Sequence, residues 1–544
     1  MNGWISTKRR LHRWSAIVIV FLVASCSEQS ALPRAETEAS PLPRSDTDVA
    51  VGDDQPSATS SPTTIAEPPR SVPEGTMLVD AADGRPIDRR VFGTNLPAWA
   101  RPELLSDPRF HDAATASGTT LIRMPGGSWS NLYDWSGCEQ RDPDRCLWTW
   151  AARPSDFIDF LQATDLAGMW TVSINETAQS AAAAVAFFNG ATDDDRPIGV
   201  DRNGVDWGTV GTWADLREQG GNPDPIGISL WEVGNEVFGA QQQTGGSGCA
   251  DFGWEPVWTC RGAEYITGNS DHDGALEIRA AMLAVDDSIE VGFVGTGDPQ
   301  NWNNFGNEVI DQAGDALDFY IVHFYGFSSS VDGDEAIRRP PDLWNPVIGA
   351  VSQALPASVP IAVTEYNLVS NEVNDAELTM TQTMNGLFLA DTLGQLVTLD
   401  VPIANQWNLV NGTTTSGTDY GLMSVDRVPF PAFTAMSLWT RTGSTLLSSF
   451  GSGNDDIRFY ATLHEDGRIV AVILNLAEST EELPVQFDRF EAASGSVESY
   501  SAADLTDSEW VESTSRPVFD DPSSITVDLP GWSINLLELV PTSS

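Results

Sequence analysis

The chain has 544 residues, 41% of them hydrophobic and 19 of them tryptophan, which is enough for more than one domain and a large core. Acidic residues outnumber basic ones by 77 to 29, Lys8 is the only lysine, and the formal net charge is -48. This balance argues against nucleic acid as a partner, because phosphate binding needs clustered lysine and arginine. It is typical of a solvated surface on an exported protein, and a cationic partner is the alternative interpretation.

The N-terminus predicts export. Basic residues precede a short apolar run at 14–24, and this order is that of a secretory signal. The run is about half as long as the roughly 20 residues that a membrane-spanning helix needs. Residues 23–25 with Cys26 resemble a bacterial lipobox, so we predict a lipoprotein signal peptide at 1–25 and a lipid on Cys26. The expected location is the cell surface or the periplasmic face of a membrane, and cleavage by an ordinary signal peptidase is the alternative.

Residues 26–75 are rich in proline, serine, threonine and acidic residues and have almost no large apolar side chains. Such a segment cannot bury enough surface to offset its chain entropy. We predict a disordered tether that holds the folded part away from the membrane, which the chain would contact only through its lipid.

Five cysteines are present, and an odd number in an exported chain requires an explanation. Assigning Cys26 to the lipid leaves Cys138, Cys146, Cys249 and Cys260. Closeness in sequence favours two local disulfides that hold surface loops. Zinc binding is the weaker alternative, since no Cys-x-x-Cys spacing occurs.

Residues 76–442 alternate strand-like and helix-like segments. Strands that are apolar throughout and alternate with helices indicate a parallel sheet covered on both faces, and eight of them indicate an α/β fold of the (β/α)8 barrel type. The predicted strands are 91–95, 120–124, 169–174, 228–233, 289–294, 319–324, 361–365 and 401–407, and the predicted helices include 156–166, 179–188, 275–285 and 380–396.

Residues 443–544 change to short alternating strands punctuated by turns such as Asp466-Gly467. This pattern predicts a C-terminal antiparallel β-sandwich domain. The strand expected near 76–82 precedes the barrel in sequence, and we expect it to join the sandwich.

A (β/α)8 barrel carries its chemistry at the C-terminal ends of its strands. Two glutamates, Glu236 and Glu365, follow or end the fourth and seventh predicted strands and should face each other across the barrel mouth. Glycosidic bond cleavage needs such a pair of carboxyl groups. The other polar or aromatic residues at strand ends are candidate substrate-binding residues: Asn95, Arg123, Asn175, Asn235, His323, Tyr325 and Trp407.

The two glutamates need different environments. Tyr325 and Arg123 are expected to lie near Glu365 and keep it ionised, whereas Glu236 needs a raised pKa to stay protonated. For His323 the alternative is an ordinary packed histidine.

Several motifs resemble those of clan A retaining glycoside hydrolases. Residues 231–239 and 363–367 resemble the acid/base and nucleophile signatures of the clan. Residues 123–127, followed by 133–135, resemble the second-strand motif of the α-L-arabinofuranosidase family, which also pairs its barrel with a C-terminal sandwich. The resemblance covers residues 76–544. It implies that Glu236 is the general acid/base and Glu365 the nucleophile, with no cofactor or metal.

The resemblance ranks the possible functions. An α-L-arabinofuranosidase acting on polysaccharide or oligosaccharide comes first. An endo-acting β-glucanase, xyloglucanase or xylanase comes second, because Thr364-Glu365-Tyr366-Asn367 is equally similar to clan A endoglucanases and xyloglucanases. A non-catalytic glycan-binding lipoprotein is the alternative from a different class, since it would use the same barrel and tryptophans without either glutamate.

Eight tryptophans fall in or near the segments after the second to fourth predicted strands, where sugar rings could stack on them. A long cleft lined by them would indicate a polymer substrate, whereas a pocket closed by the disulfide loops would indicate cleavage at a chain end. The residues are Trp129, Trp135, Trp148, Trp150, Trp207, Trp213, Trp254 and Trp258.

Overall fold

The computed structural model describes residues 75–241, 253–413, 416–451 and 453–542. The signal peptide at 1–25, Cys26, the tether and Cys249 lie outside the described residues, apart from Gly75 at the end of the tether, and remain predictions. Among the described residues, no helix combines the length and apolar character needed to cross a membrane.

The described residues form strands and helices whose bounds are as follows. The strands are β1 Met77–Pro86, β2 Gly93–Asn95, β3 Leu121–Met124, β4 Ala167–Val172, β5 Leu230–Val233, β6 Glu290–Val294, β7 Phe319–Phe327, β8 Ile361–Val369, β9 Ile403–Gln406, β10 Thr445–Gly451, β11 Ile457–Leu463, β12 Ile469–Asn475, β13 Glu481–Asp488, β14 Ala492–Ser501, β15 Val511–Ser515, β16 Val518–Asp521, β17 Ser524–Leu529 and β18 Ser533–Pro541. The α-helices are α1 Pro102–Leu105, α2 Pro108–Ala116, α3 Trp135–Glu139, α4 Pro154–Thr164, α5 Ala178–Asn189, α6 Val210–Gln219, α7 Gly262–Thr267, α8 Ala275–Val285, α9 Asn301–Ala313, α10 Gly333–Ala354, α11 Thr383–Thr398 and α12 Pro431–Thr440.

Strands β2 to β9 form a closed parallel barrel in chain order, and β9 pairs back onto β2. The predicted (β/α)8 barrel is confirmed. Apolar side chains from alternate positions form one small core inside it: Leu121, Met169, Leu230, Phe319, Ile321, Ala362 and Ile403. Most of these residues stand near the starts of their strands, so the apolar core fills the N-terminal half of the barrel. Polar side chains are left for the C-terminal half.

The remaining strands form one ten-stranded sheet in the order β15-β14-β18-β12-β11-β10-β1-β13-β17-β16. Its pairings are antiparallel except that β1 pairs in parallel with β13, and β1 also pairs antiparallel with β10. The sheet curls around a core of its own, which includes Val79, Ile473 and Leu537. The predicted C-terminal β-sandwich is confirmed in this form.

The barrel and the sheet meet at a buried polar cluster, here called the interface cluster, made of Asp391 and Gln395 from α11 and Arg458 and Tyr460 from β11. Asp391 is fully buried. It accepts a hydrogen bond from the Tyr460 hydroxyl and one of 3.2 Å from Arg458 Nε, while Gln395 Nε2 donates to the Tyr460 hydroxyl oxygen at 2.9 Å. Because its carboxylate, guanidinium and hydroxyl are mutually paired, the cluster joins the two layers without an uncompensated charge.

Candidate active site

The two glutamates meet at the C-terminal end of the barrel. Glu236 lies just beyond β5, and Glu365 lies in β8 opposite His323 of β7, next to an irregularity in the pairing of these strands. One carboxyl oxygen of Glu236, one of Glu365 and one ring nitrogen of His323 lie within 4.8 Å of one another. Two carboxyl groups this close match the separation of about 5–5.5 Å in retaining glycosidases better than the 6.5–9.5 Å of inverting ones.

A tight turn presents Glu236. Gly234 has φ +77°, and a Cβ there would come within 2.9 Å of the Val237 side chain, so the position requires glycine. Glu236 itself has φ +41°, in the left-handed region that non-glycine residues rarely adopt. Successive side chains therefore diverge: Asn235 enters the barrel, and Glu236 reaches the mouth. Strained backbone of this kind is concentrated at functional sites.

Arg123 is fully buried and organises the site from below. Its Nε donates to Glu232 Oε2 at 2.5 Å, Nη1 donates to Asn95 Oδ1 at 2.8 Å, and Nη2 donates to Asn235 Oδ1 at 2.9 Å. Nη1 is also 3.5 Å from Glu365 Oε2. Asn95 is fully buried as well, so Asn95 and Arg123 can affect a bound ligand only through the side chains that they order.

Glu365 has the two neighbours expected from the sequence. The Tyr325 hydroxyl donates to Glu365 Oε1 at 2.5 Å, and Arg123 approaches the other oxygen. Burial raises the pKa of Tyr325 well above its ordinary value, and the charge of Glu365 raises it further. The phenol therefore stays protonated and remains a hydrogen-bond donor to the carboxylate.

His323 bridges the two glutamates. Its Nδ1 lies 3.2 Å from Glu236 Oε1 and 3.7 Å from Glu365 Oε2, and its Nε2 lies 2.9 Å from Thr364 Oγ1. Burial alone would lower the pKa of the imidazole, but the Glu365 charge, the Glu232 carboxylate 3.7 Å away and the hydrogen bond with Glu236 raise it to about 9. The ring is a cation at neutral pH, so it is part of the charge balance of the site.

The charge on His323 also bears on metal binding. Among the described residues, Glu236, His323 and Glu365 are the only three ionisable side chains close enough to share an ion. A metal ion there would have to displace the proton from His323 Nδ1, because a protonated imidazole offers no lone pair at that nitrogen.

The pKa shifts of the two glutamates are opposite in direction to those expected from the sequence. Burial raises the pKa of Glu365, and the attraction of His323 does not offset it. Burial also raises the pKa of Glu236, but the hydrogen bond and charge of His323, together with the Trp254 indole, outweigh it and lower the pKa. The physical reason is distance: His323 Nδ1 is nearer to Glu236 than to Glu365, and Arg123 is nearer to Glu232 than to Glu365.

Solvent access separates the four carboxyl groups of the site. The side chains of Glu236 and Glu365 are 16% and 10% exposed, whereas Glu232 and Glu255 are 0% exposed. Only the first two can reach a substrate. The buried pair lies behind them, and Arg123 with His323 lowers the pKa of Glu232 to about 2 against the effect of burial.

Glu232, Glu255 and Thr364 also belong to this site, although the sequence did not predict them there. Glu232 carried a readable signal, because it alternates with Leu230 along β5 and must therefore point into the barrel with it. Thr364 likewise precedes Glu365 and contacts both His323 and Glu232. Glu255 follows a segment without a periodic pattern, so its position could not be inferred.

Asn175 and Asn235 have different surroundings. Asn175 is exposed, and its amide donates to the backbone carbonyls of Asn131 and Pro256, at 2.7 and 3.0 Å. Asn235 is 1% exposed and lies between Arg123 and Glu255. The structure therefore places Asn235 against the catalytic candidates and Asn175 at the rim.

Trp407, which directly follows β9, is packed against Gly126 and Gly127. A Cβ at Gly127 would lie 2.5 Å from the Trp407 ring, so this position admits only glycine. Outward from Trp407, Trp99 contacts Trp407 and Trp129 at ring-centroid distances of 5.9 and 5.1 Å, and Trp129 contacts both Trp148 and Trp150, at 3.8 and 5.6 Å. We call these five residues the tryptophan row: Trp407, Trp99, Trp129, Trp148 and Trp150.

The outer end of the tryptophan row adjoins a disulfide. Cys138 and Cys146 are bonded, as the sequence predicts, and the segment that follows carries Trp148 and Trp150. Trp148 stacks on Trp129, while Trp150 is 45% exposed. The pairing predicted for Cys260 with Cys249 stays a prediction, because Cys249 lies outside the described residues.

No protein-family model matches the chain, and no curated protein matches it either. Solved structures do. The α-L-arabinofuranosidase of Thermotoga maritima is 20% identical with a TM-score of 0.65, and the family 51 α-L-arabinofuranosidase of Thermotoga petrophila is 19% identical with a TM-score of 0.66; each match covers 86% of this chain and 100% of the other. A family 44 xyloglucanase of Paenibacillus polymyxa is 15% identical with a TM-score of 0.57, covering 86% of this chain and 99% of the other. At these identities the matches show a shared fold.

Proposed function

We propose that this protein is a retaining glycoside hydrolase of clan A. The observation that carries the proposal is the pair Glu236 and Glu365, the two partly exposed carboxyl groups of the site, whose oxygens approach within 4.8 Å across the barrel mouth. The fold shared with arabinofuranosidases and a xyloglucanase supports it. So do the acid/base and nucleophile signatures around the two residues.

In the first step Glu365 attacks the anomeric carbon while Glu236 gives a proton to the leaving oxygen. The site holds this proton as the Nδ1–H of cationic His323, hydrogen-bonded to Glu236 at 3.2 Å. Its transfer leaves neutral imidazole and protonated Glu236, so the proton count is unchanged. The transfer also weakens the pull of His323 on Glu236 and leaves Glu365 as the anionic nucleophile.

In the second step Glu236, now ionised, takes a proton from water, which attacks the glycosyl-enzyme ester and releases the sugar with the configuration retained. Tyr325 donates to one Glu365 oxygen throughout, which holds the carboxylate in orientation. Asn235 is 1% exposed and its Nδ2 donates to Glu255, so it is held within the buried network directly before Glu236.

The substrate we propose is a polysaccharide with α-L-arabinofuranosyl side chains. The second-strand motif at 123–127 and the likeness to two arabinofuranosidase structures support this choice. The tryptophan row favours a polymer, because exposed aromatic rings beyond the reacting sugar suit further sugar rings. The same row and the family 44 fold likeness support the second candidate, an endo-acting xyloglucanase or β-glucanase.

One experiment separates the candidates. The purified protein is incubated with arabinoxylan, arabinan, xyloglucan and β-glucan, and the products are sized over time. Free arabinose alone supports the arabinofuranosidase, and mixed oligosaccharides early in the reaction support the endo-acting enzyme. Binding to a polymer without products would support the glycan-binding lipoprotein instead and would refute the hydrolase. NMR of the first product tests retention, because an inverted anomer would refute the double displacement.

We further propose that the protein is exported and anchored through a lipid on Cys26. The basic and apolar order of the N-terminus and the lipobox-like residues support this proposal. Labelling cells with a tritiated fatty acid should label the wild-type protein but not the Cys26→Ser variant. Equal labelling of the two would refute the anchor.

A further inference from the structure

A short segment after β5 returns to the site and contacts the acid/base turn with two consecutive side chains. The backbone of Trp254 and Glu255 pairs with the 3-10 helix Val237–Gly239 and the residues after it: both amides donate to the Gly239 carbonyl, at 2.8 and 2.9 Å, and Gln241 N donates to the Glu255 carbonyl at 2.8 Å. The segment is therefore held to the same turn that presents Glu236.

Trp254 contacts the catalytic candidate itself. Its indole Nε1 donates to Glu236 Oε2 at 2.6 Å, on the opposite oxygen from His323. Its ring lies across Gly239, where a Cβ would come within 2.6 Å of ring atoms. Glycine at this position lets the indole lie close enough to reach the carboxyl group, so both oxygens of Glu236 are fixed by protein donors.

Glu255 fixes the preceding residue. It is 0% exposed and accepts hydrogen bonds from Ser128 Oγ at 2.6 Å, Asn131 Nδ2 at 2.7 Å and Asn235 Nδ2 at 3.0 Å. Asn131 in turn holds the Asn235 backbone through both its N–H and its carbonyl, at 3.1 and 2.8 Å. A buried carboxyl group that touches no solvent cannot touch substrate, so its effect must pass through these partners.

We propose that Trp254 and Glu255 form a positioning pair for the acid/base residue, Trp254 orienting the Glu236 carboxyl group and Glu255 orienting Asn235 beside it. This inference rests on the proposed hydrolase function. Two neighbouring residues of one segment then fix the position of the Glu236 carboxyl group relative to the Asn235 amide. Misplacement of such groups by about 1 Å costs up to roughly 100-fold in rate.

The Trp254→Phe variant tests the first half, with Trp258→Phe as its matched control. Trp258 is in the same segment and also donates its indole N–H, but to the Ile174 carbonyl at 2.9 Å. Loss of the indole leaves Glu236 Oε2 without its donor, so kcat should fall about tenfold while KM changes less than about twofold. Trp258→Phe should lower thermal stability and leave the kcat of the folded protein unchanged. A wild-type kcat in Trp254→Phe would overturn the role of Trp254.

Gly239→Ala provides a second approach that keeps the indole. The added methyl group displaces the Trp254 ring without removing its N–H, so kcat should fall in the same way. If kcat falls in Trp254→Phe but not in Gly239→Ala, the ring position is not what matters, and the positioning role fails.

The Glu255→Gln variant tests the second half. The amide offers one acceptor oxygen where the carboxyl group offers two, so one of its three donors loses its partner. We expect kcat to fall about tenfold while KM changes less than about twofold, because the loss falls on the transition state. Glu139→Gln is the matched control: Glu139 is a buried carboxyl group that accepts from Ser155, outside the site. A Glu255→Gln variant with wild-type kcat would overturn this half. Full activity in Glu236→Ala would instead refute the proposed function.

Discussion

Among the described residues, the interface cluster and the ionic cluster at the barrel mouth are both buried, and they differ in the balance of their charges. The interface cluster pairs one carboxylate, Asp391, with one guanidinium, Arg458, and adds two neutral hydrogen-bonding side chains. The cluster at the barrel mouth sets four carboxyl groups against one guanidinium and one imidazole: Glu232, Glu236, Glu255 and Glu365 against Arg123 and His323.

This difference indicates what each cluster is for. A structural ion pair persists when its charges are matched, because an unpaired buried charge costs several kcal/mol. An excess of carboxyl groups is unfavourable to the fold and is retained where it serves chemistry. Glu236, in the cluster at the barrel mouth, has a strained positive φ, whereas Asp391 and Arg458 of the interface cluster do not.

The largest effect is expected for Glu365→Ala. Removal of the nucleophile should lower kcat at least about 10⁴-fold, as in enzymes whose catalytic unit loses one member. Thermal stability should stay the same or rise, since a carboxyl group with a pKa raised by burial and by repulsion from Glu236 is removed. Steady-state rates on an aryl glycoside and a thermal melt measure the two effects. Retained activity in Glu365→Ala would mean that the cluster at the barrel mouth is not catalytic and does not differ in purpose from the interface cluster.

Asp391→Ala should show the opposite result. Breaking the buried pair leaves Arg458 and Tyr460 without their partner, so the free energy of unfolding should fall by about 3–5 kcal/mol. The kcat of the folded protein should not change. Denaturant unfolding gives the stability, and active-site titration corrects the rate for the folded fraction. A kcat that falls in proportion to stability would mean that the interface also shapes the site.

The sequence predicted the fold well where local and tertiary signals agree. The barrel strands have apolar side chains near their starts, as at Leu121, Leu230 and Phe319, and α8 has the bounds 275–285 that the sequence predicts. The sequence did not predict helix α10, which contains Pro340, Pro341 and Pro346. Proline within a helix removes a hydrogen bond and normally ends it, and only packing of the apolar face overrides this preference.

At the site, the sequence identified the residues at strand tips but not the ones behind them. The strand pattern predicts the positions of Glu236, Glu365, His323 and Tyr325. It does not predict the directions of the glutamate pKa shifts, because these depend on small differences in distance. His323 Nδ1, for example, lies 3.2 Å from Glu236 Oε1 and 3.7 Å from Glu365 Oε2. Glu255 could not be found at all, because only the folded loop brings it to Asn235. Distances between segments far apart in the chain are not encoded in local pattern.

The pH dependence sharpens the comparison, since only the site cluster contains an imidazole. The folded pKa of His323 is about 9, above its ordinary value of 6.5. Its protonation therefore stabilises the fold fully below about pH 6.5, and this contribution is lost as the pH rises through about 9. Activity should fall in the same alkaline range, because the proton that Glu236 needs is gone. An alkaline limb below pH 7 in the kcat/KM profile would contradict the assignment.

The smallest effect is expected at the outer end of the tryptophan row. Trp150 is 45% exposed, whereas Trp439 beside the interface cluster is fully buried and donates its indole N–H to a backbone carbonyl. An exposed ring adds little to stability but can stack on a sugar, so Trp150→Ala should raise KM on the polymer about three- to tenfold and leave KM on an aryl glycoside unchanged. Leu147→Ala is the control, since Leu147 is 65% exposed on the same segment without an aromatic ring. If the two variants behave alike on the polymer, the row ends before Trp150, and substrate contact is confined to the more buried tryptophans near Trp407.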